Sequence, residues 1–230
     1  MRDLLAYVPL ALTTTVADVL GHDRVHAVSK LALAPSLAAG VLATRSDRST
    51  ARTATLVVAL AGSMVGDWYM YRSSRSGGER SRALMRRGAS AFGVQQAGLI
   101  RLLVDDGARP RPAATAVAAT TMAALALVDG QSAAPDPVLV GYGLLLGSMS
   151  ALAMGDGPPR RRAVAGGGAL FLLSDAAIIV GQRFATTPTH RAVASGIILS
   201  TYTAALGLLV HGLREDPSGR HRSDFHVTVG

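Results

Sequence analysis

Cysteine is absent from this 230-residue chain, which excludes disulfides, thiolate metal sites and a cysteine nucleophile. Lysine is nearly absent as well: Lys30 stands alone, so arginine carries almost all of the +8 net charge. Aromatic residues make up 4% of the chain and charged residues 17%, against about 25% charged in an ordinary soluble domain. No G-x-S-x-G elbow occurs, which argues against a serine lipase. The basic runs are short, with few aromatics between them, so no nucleic-acid partner is expected.

What is abundant is apolar. Hydrophobic residues reach 49% and the mean hydropathy is +0.32, the balance of an integral membrane protein. A helix needs about 17–22 apolar residues to cross about 30 Å of hydrocarbon. Counting runs of that length gives eight spans, roughly 4–20, 27–44, 53–71, 88–104, 113–129, 137–154, 163–181 and 192–213. The Ala- and Thr-rich fifth run carries the weakest signal. Gly, Pro and Arg fill the short connections, as in DDGARPRP and GDGPPRRR. The expected fold is therefore all-α, a polytopic membrane helical bundle of about eight transmembrane helices. It forms a single transmembrane domain over 1–213, followed by a polar, mobile tail at 214–230.

The first apolar run reads as a span rather than a signal peptide, because Asp3 offsets Arg2 and no small-x-small cleavage site follows. An even span count puts both termini on one side. Thirteen arginines fall on that side against nine on the other, which favours cytoplasmic termini. The arginines in the connections suit membrane lipid headgroups as partners.

Polar residues inside the spans are the candidates for function. Asp67 interrupts the run 57–71, VVALAGSMVGDWYMY, and Ser63, Gly66, Asp67 and Met70 share one helical face. An ionised Asp in a span costs about 2.5–3.5 kcal/mol on insertion scales, so such a residue faces a bundle interior or a watery cavity. The run 170–180, LFLLSDAAIIV, repeats the arrangement with Ser174 and Asp175. Asp18 ends span one, Lys30 begins span two, Gln95 and Gln96 fall in the first half of span four, Tyr142 begins span six, and Thr201 and Tyr202 lie in span eight. Because spans alternate in direction, all of these groups lie toward the face opposite the termini. At 1.5 Å per residue, Asp67 and Asp175 sit roughly 6–9 Å below it. A polar pocket opening toward one leaflet is expected.

The ordered motifs KLALAP at 30–35, GD at 66–67, GASAFGVQQ at 88–96 and GGALFLLSD at 167–175 resemble the YhhN/lysoplasmalogenase family of eight-span membrane proteins. Tyr142 followed by Met149, and Tyr202, extend the likeness over nearly the whole chain. The resemblance implies residence in a bacterial-type plasma membrane and hydrolysis of the vinyl-ether bond of lysoplasmalogens. A fatty aldehyde and a glycerophospho-base would be released from a lysophospholipid substrate. The family's two acidic positions carry over onto Asp67 and Asp175, and its basic position onto Lys30. The chain departs from the pattern at Leu31, where Pro is usual, and at Gln96, Leu99 and Ala205, where His, Tyr and Gln are common. These differences surround the expected pocket, so they bear on the substrate rather than the fold.

Vinyl-ether hydrolysis needs an acid to protonate the β-carbon and a carboxylate to steady the cation or activate water. Burial disfavours an ionised carboxyl and a nearby ammonium favours one, so two Asp residues beside a single Lys can divide these roles. Asp67 and Asp175 are the expected acid/base pair, in either order. Lys30 would tune one of them or meet the lipid phosphate. Gln95, Gln96 and Tyr202 would position water or the glycerol backbone, with Gly66, Tyr142, Ser174 and Asp18 also lining the pocket. The plain alternative is that Lys30 and Asp67 form a packing ion pair.

Gly62/Gly66 and Gly143/Gly147 suit close helix packing, within one chain as readily as between chains, so they do not define an oligomeric state. Trp68, Tyr69 and Tyr71 suit an interfacial belt. Asp18, His22, His26 and His190 could hold zinc in a lipid amidase. His22 and His26 follow Gly21 in a short loop, however, so no metal and no cofactor is expected. A further alternative is a non-catalytic lipid binder or small transporter, in which the acids bind a proton or cation. The 108-residue spacing of Asp67 and Asp175 hints at a four-plus-four duplication of that kind.

Overall fold

The computed structural model describes residues 2–129, 136–156 and 161–214; the expected tail, beyond Arg214, lies outside them. Eight α-helices are present among the described residues: α1 (Arg2–Val19), α2 (Asp23–Ala43), α3 (Thr50–Ser74), α4 (Gly78–Asp105), α5 (Pro112–Asp129), α6 (Pro137–Ala153), α7 (Arg161–Phe184) and α8 (Pro188–Leu213). Local signals set several of their ends. Ser49, Asp136 and Thr187 cap α3, α6 and α8 by accepting from a backbone N–H in the first turn, and Pro137 and Pro188 open the latter two. Gly21 and Gly107 follow α1 and α4 at φ of 73° and 72°, a left-handed conformation that suits glycine and closes the helix.

Seven helices close a ring in the order α1, α2, α3, α4, α6, α7, α8, with α8 returning to α1. The fifth helix stands outside the ring against α6 and α7, which explains its weak pattern: most of its surface is not packed on protein. The ring interior holds Leu33, Leu37, Leu56, Leu60, Leu99, Leu103, Leu146, Met149, Phe171, Leu206 and Leu209. Outward-facing positions are apolar too: Leu5, Leu12, Val28, Leu144, Leu173 and Val193 are exposed. Water would penalise so much exposed apolar surface, whereas lipid would not. Asp23–Ala43, Arg162–Phe184 and Pro188–Leu213 are long and apolar enough to cross a membrane. Leu5–Val19, Pro112–Ala126 and Pro137–Ala153 are shorter apolar helices.

The main departure from the expected spans is at α3 and α4. Residues 78–87, whose Arg and Ser content predicts a connection, form the first turns of α4, and α3 runs on to Ser74. Arg, Glu, Ala, Leu and Met are good helix formers, and Leu84 and Ser81 turn inward. Hydropathy alone sees only where the apolar run stops. Gln95 and Gln96 consequently lie beyond the midpoint of α4, not in its first half.

On the face that carries the termini, arginines tie the helix ends together. Arg52, 6% exposed, makes a bidentate pair with Asp106 (2.6 and 2.9 Å) and donates to the Leu213 carbonyl at 2.8 Å. Arg48 donates to the carbonyls of Val41 and Arg214. One salt bridge and three carbonyls thereby join α2, α3, α4 and α8. On the opposite face, Arg86 of α4 hydrogen-bonds Asp136 and holds that carboxyl below the usual carboxylate range. Arg52→Ala would remove the bidentate pair to the partly buried Asp106 together with the bond to the Leu213 carbonyl, and a loss of about 1.5–3 kcal/mol is expected. Thermal unfolding in detergent checks this: Arg52→Ala should unfold well below wild type, and unfolding at the wild-type temperature would contradict it.

Candidate active site

The two tightest helix pairs in the ring are α3 with α4 and α7 with α8, and glycine makes both possible. A Cβ on Gly62 would come within 2.7 Å of the Ala91 carbonyl oxygen, and one on Gly167 within 3.1 Å of the Ala205 carbonyl. Gly66 makes room for a side chain instead. A Cβ there would stand 2.7–2.9 Å from the Phe92 ring, so glycine lets Phe92 lie flat on α3 beside Asp67.

Asp67 is 1% exposed and is held by two neighbours from other helices, one of which is braced by a serine of α3. Lys30 Nζ of α2 lies 3.4 Å from Oδ1, with its side chain 15% exposed. The Tyr202 hydroxyl of α8 donates to Oδ2 at 2.8 Å. Tyr202 has a single hydrogen to give, so the Ser63 hydroxyl at 2.7 Å is its donor. A chain Ser63→Tyr202→Asp67 results, closed by the ammonium. A buried carboxylate is tolerable in low dielectric only when so compensated.

Asp175 is half-buried and has different company. The Tyr142 hydroxyl of α6 donates to its Oδ2 at 2.5 Å. Among the described residues no Lys or Arg pairs with it. Phe92 stands between the two acids' tyrosines: its ring centroid is 6.4 Å from that of Tyr142 and 6.1 Å from that of Tyr202, edge-on to the latter. Phe171 packs on the far side of Tyr202 at 5.8 Å. The site is thus two carboxyl–tyrosine pairs around one phenylalanine, with a cation on one side only.

Gln95 and Gln96 are 1% and 0% exposed, and none of their four amide atoms finds a hydrogen-bond partner among the described residues. Gln96 lies beside Tyr142 without meeting hydrogen-bond geometry. Gln95 is level with Gly62, five residues along α3 from Asp67 and so about 7 Å deeper. An unpaired buried amide costs about 1–3 kcal/mol, which a polar ligand atom or water would recover.

Other residues singled out by the sequence lie elsewhere. Asp18 joins neither acid; it receives the Ser195 hydroxyl and lies 3.5 Å from His26 Nδ1. Ser174 donates to the Ile198 carbonyl at 3.1 Å and serves helix pairing. Leu99 and Ala205 are core residues at 1% and 0% exposure. Among the described residues no three His, Asp or Glu side chains gather as a metal site. The duplication reading does not extend to the acids. A four-plus-four repeat maps α8 onto α4, yet Asp67 takes its tyrosine from α8 while Asp175 takes its own from α6. Phe92 was not assigned a role from sequence, although it stands within the GASAFGVQQ motif; a lone aromatic amid small residues was the available signal.

A model of the YhhN family matches residues 25–213. No curated protein and no solved structure matches the chain.

Gly66→Ala is expected to cost about 1–3 kcal/mol by overpacking against Phe92. In a Phe92→Leu background the same change should cost about half as much or less. Equal costs in both backgrounds, measured by unfolding, would contradict the contact.

Proposed function

Since the chain belongs to the YhhN family, we propose that it is a membrane-embedded hydrolase that cleaves the vinyl-ether bond of lysoplasmalogen-type lysophospholipids. The observation that carries this reading is the asymmetry of the two acids. Asp67 faces an ammonium, and Asp175 faces a neutral tyrosine with no paired cation among the described residues. Two carboxyls in unlike surroundings divide naturally into base and acid.

In this reading Asp175 is the general acid. It delivers its proton to the β-carbon of the vinyl ether, and the alkene electron pair becomes the new C–H bond. The oxocarbenium left behind meets the Asp67 carboxylate and the rings of Phe92, Tyr142 and Tyr202, whose π faces favour a cation. Asp67 then takes a proton from the attacking water. The resulting hemiacetal collapses to fatty aldehyde and glycerophospho-base. Gln96, next to Tyr142, and the deeper Gln95 supply donors and acceptors for the glycerol hydroxyl or the water. Lys30 pairs with Asp67 at 3.4 Å and offsets part of the cost of burying its charge, and the chemistry uses no metal.

The same reading makes the chain a multi-pass protein of the plasma membrane with cytoplasmic termini. Its pocket would open to the leaflet opposite them, where lysophospholipid and membrane lipid are at hand.

Purified protein in detergent should release fatty aldehyde from lysoplasmenylethanolamine, and a chelator should not slow it. Asp67→Asn and Asp175→Asn should each lower turnover by about 100-fold or more. A folded wild type that releases no aldehyde, or variants that both keep full turnover, would overturn the proposal. Cation-dependent uptake into proteoliposomes by such an inactive protein would point to transport instead.

A further inference from the structure

The seam between α6 and α7 changes character where it passes Tyr142 and Asp175. Toward the termini it is closed: Ser150 of α6 donates to the Gly168 carbonyl of α7 at 3.1 Å, and a Cβ on Gly168 would stand 2.6 Å from the Ala153 Cβ. Leu146, Met149 and Leu172 are buried along this half. Toward the opposite face, among the described residues, none of 136–145 on α6 or 175–184 on α7 is buried. Each stretch covers nearly three turns, so every face of both helices is included, the ones that carry Tyr142 and Asp175 among them. Leu139 precedes Tyr142 by three positions and Ile179 follows Asp175 by four, so they continue those faces one turn outward, and both are half-buried.

Neighbouring seams are tied at this level. Arg75 pairs with Asp23 between α3 and α2, the Ser73 hydroxyl donates to the Ser81 carbonyl between α3 and α4, and Ser195 donates to Asp18 between α8 and α1. The two banks of the α6–α7 seam are each held from their far sides. Arg86 of α4 binds Asp136 at the start of α6, and a Cβ on Gly181 of α7 would stand 3.2 Å from the Ala194 Cβ of α8. Outside the ring, α5 packs on both α6 and α7 and sets Met122 against Gly143 and Gly147. Met122 is a flexible apolar side chain, so the lipid-side flank of the opening is apolar as well.

We propose that this opening takes the hydrocarbon chain of the lysophospholipid, which runs from Asp175 between Leu139 and Ile179 into the membrane interior. The inference rests on the hydrolase reading above and specifies where its substrate lies. The β-carbon that Asp175 protonates is a carbon of the chain itself, so the chain starts beside Asp175. It has no room to run toward the termini, where the interior is close-packed and Ser150 and Gly168 zip the seam. Gln95 lies on that side too, and methylenes against its buried amide would leave it without hydrogen bonds. Water beyond the opposite face excludes the chain by the hydrophobic effect. The apolar gap between α6 and α7 is what is left, and it leads sideways to lipid. A chain so placed needs no pocket as long as itself, because all but its first few carbons stay among lipid chains. The same route returns the fatty aldehyde to the membrane.

Two measurements on the full chain in detergent test this. The first needs no turnover. A lysophosphatidylethanolamine with a saturated 1-O-alkyl chain has no vinyl ether to cleave; carrying a diazirine a few carbons along that chain, it is photolysed with the protein and the adducts are mapped by mass spectrometry. Adducts that an excess of the unlabelled lipid removes should fall within 138–145 of α6 and 175–182 of α7, on Leu139 and Ile179 above all. Competed adducts confined to other helices, or none that compete, overturn the proposal. Seam adducts on a protein that releases no aldehyde uphold the chain's place while the hydrolase reading fails; aldehyde release without seam adducts does the reverse. The second measurement uses the absence of cysteine. In a Leu139→Cys/Ile179→Cys variant, bridging the two thiols with a reducible bifunctional methanethiosulfonate should lower aldehyde release about tenfold or more, and reduction should restore it. Turnover unchanged in protein shown by mass to be fully bridged would overturn the proposal.

Discussion

A carboxylate buried at 1% exposure inside an apolar bundle governs the arrangement around it. Asp67 is tolerable there only because a lysine, a tyrosine and, through it, a serine converge from α2, α8 and α3. That convergence fixes which helices surround α3. The rest of the ring follows: α4 must lie close enough for its backbone to touch Gly62, and Phe92 must fold over Gly66. Glycine on α3 is thus as much a part of the site as the acid it precedes.

The second acid shows what happens when the same residue type is given a different neighbourhood. Asp175 has a tyrosine but, among the described residues, no ammonium, and it retains some exposure. Displacing α5 from the ring is what brings α6 against α4 and α7, and so brings Tyr142 to Asp175 on one side and to Phe92 on the other. A regular eight-membered ring would have put α5 there, whose Ala- and Thr-rich sequence has short aliphatic hydroxyls but no tyrosine. The asymmetry between the acids therefore comes from helix order as much as from sequence.

Much of the fold was legible because it depends on run length. Apolar stretches of span length are local properties, and seven of the eight helices fall within about four residues of where those stretches begin and end. The start of α4 was not legible, because an Arg-rich amphipathic helix beyond a membrane boundary looks like a connection by hydropathy. Lys30, Asp67, Asp175, Tyr142, Tyr202 and the two glutamines stood out as polar residues in apolar runs. Their pairing did not: whether Tyr202 meets Asp67 or Asp175 depends on ring order, which no local pattern encodes. Asp18 shows the limit plainly, since it lies on the same face as the acids yet pairs with His26 and Ser195. The Arg52–Asp106 pair was invisible for the same reason, as its two members are separated by an entire helical hairpin.

The central claim is that the bundle protonates an alkene carbon and not an oxygen or a carbonyl. The most direct measurement is the reaction in D₂O, with the aldehyde reduced as it forms and examined by mass spectrometry. Protonation at the β-carbon predicts one deuterium on the carbon next to the carbonyl. Aldehyde released without deuterium at that carbon would contradict the account.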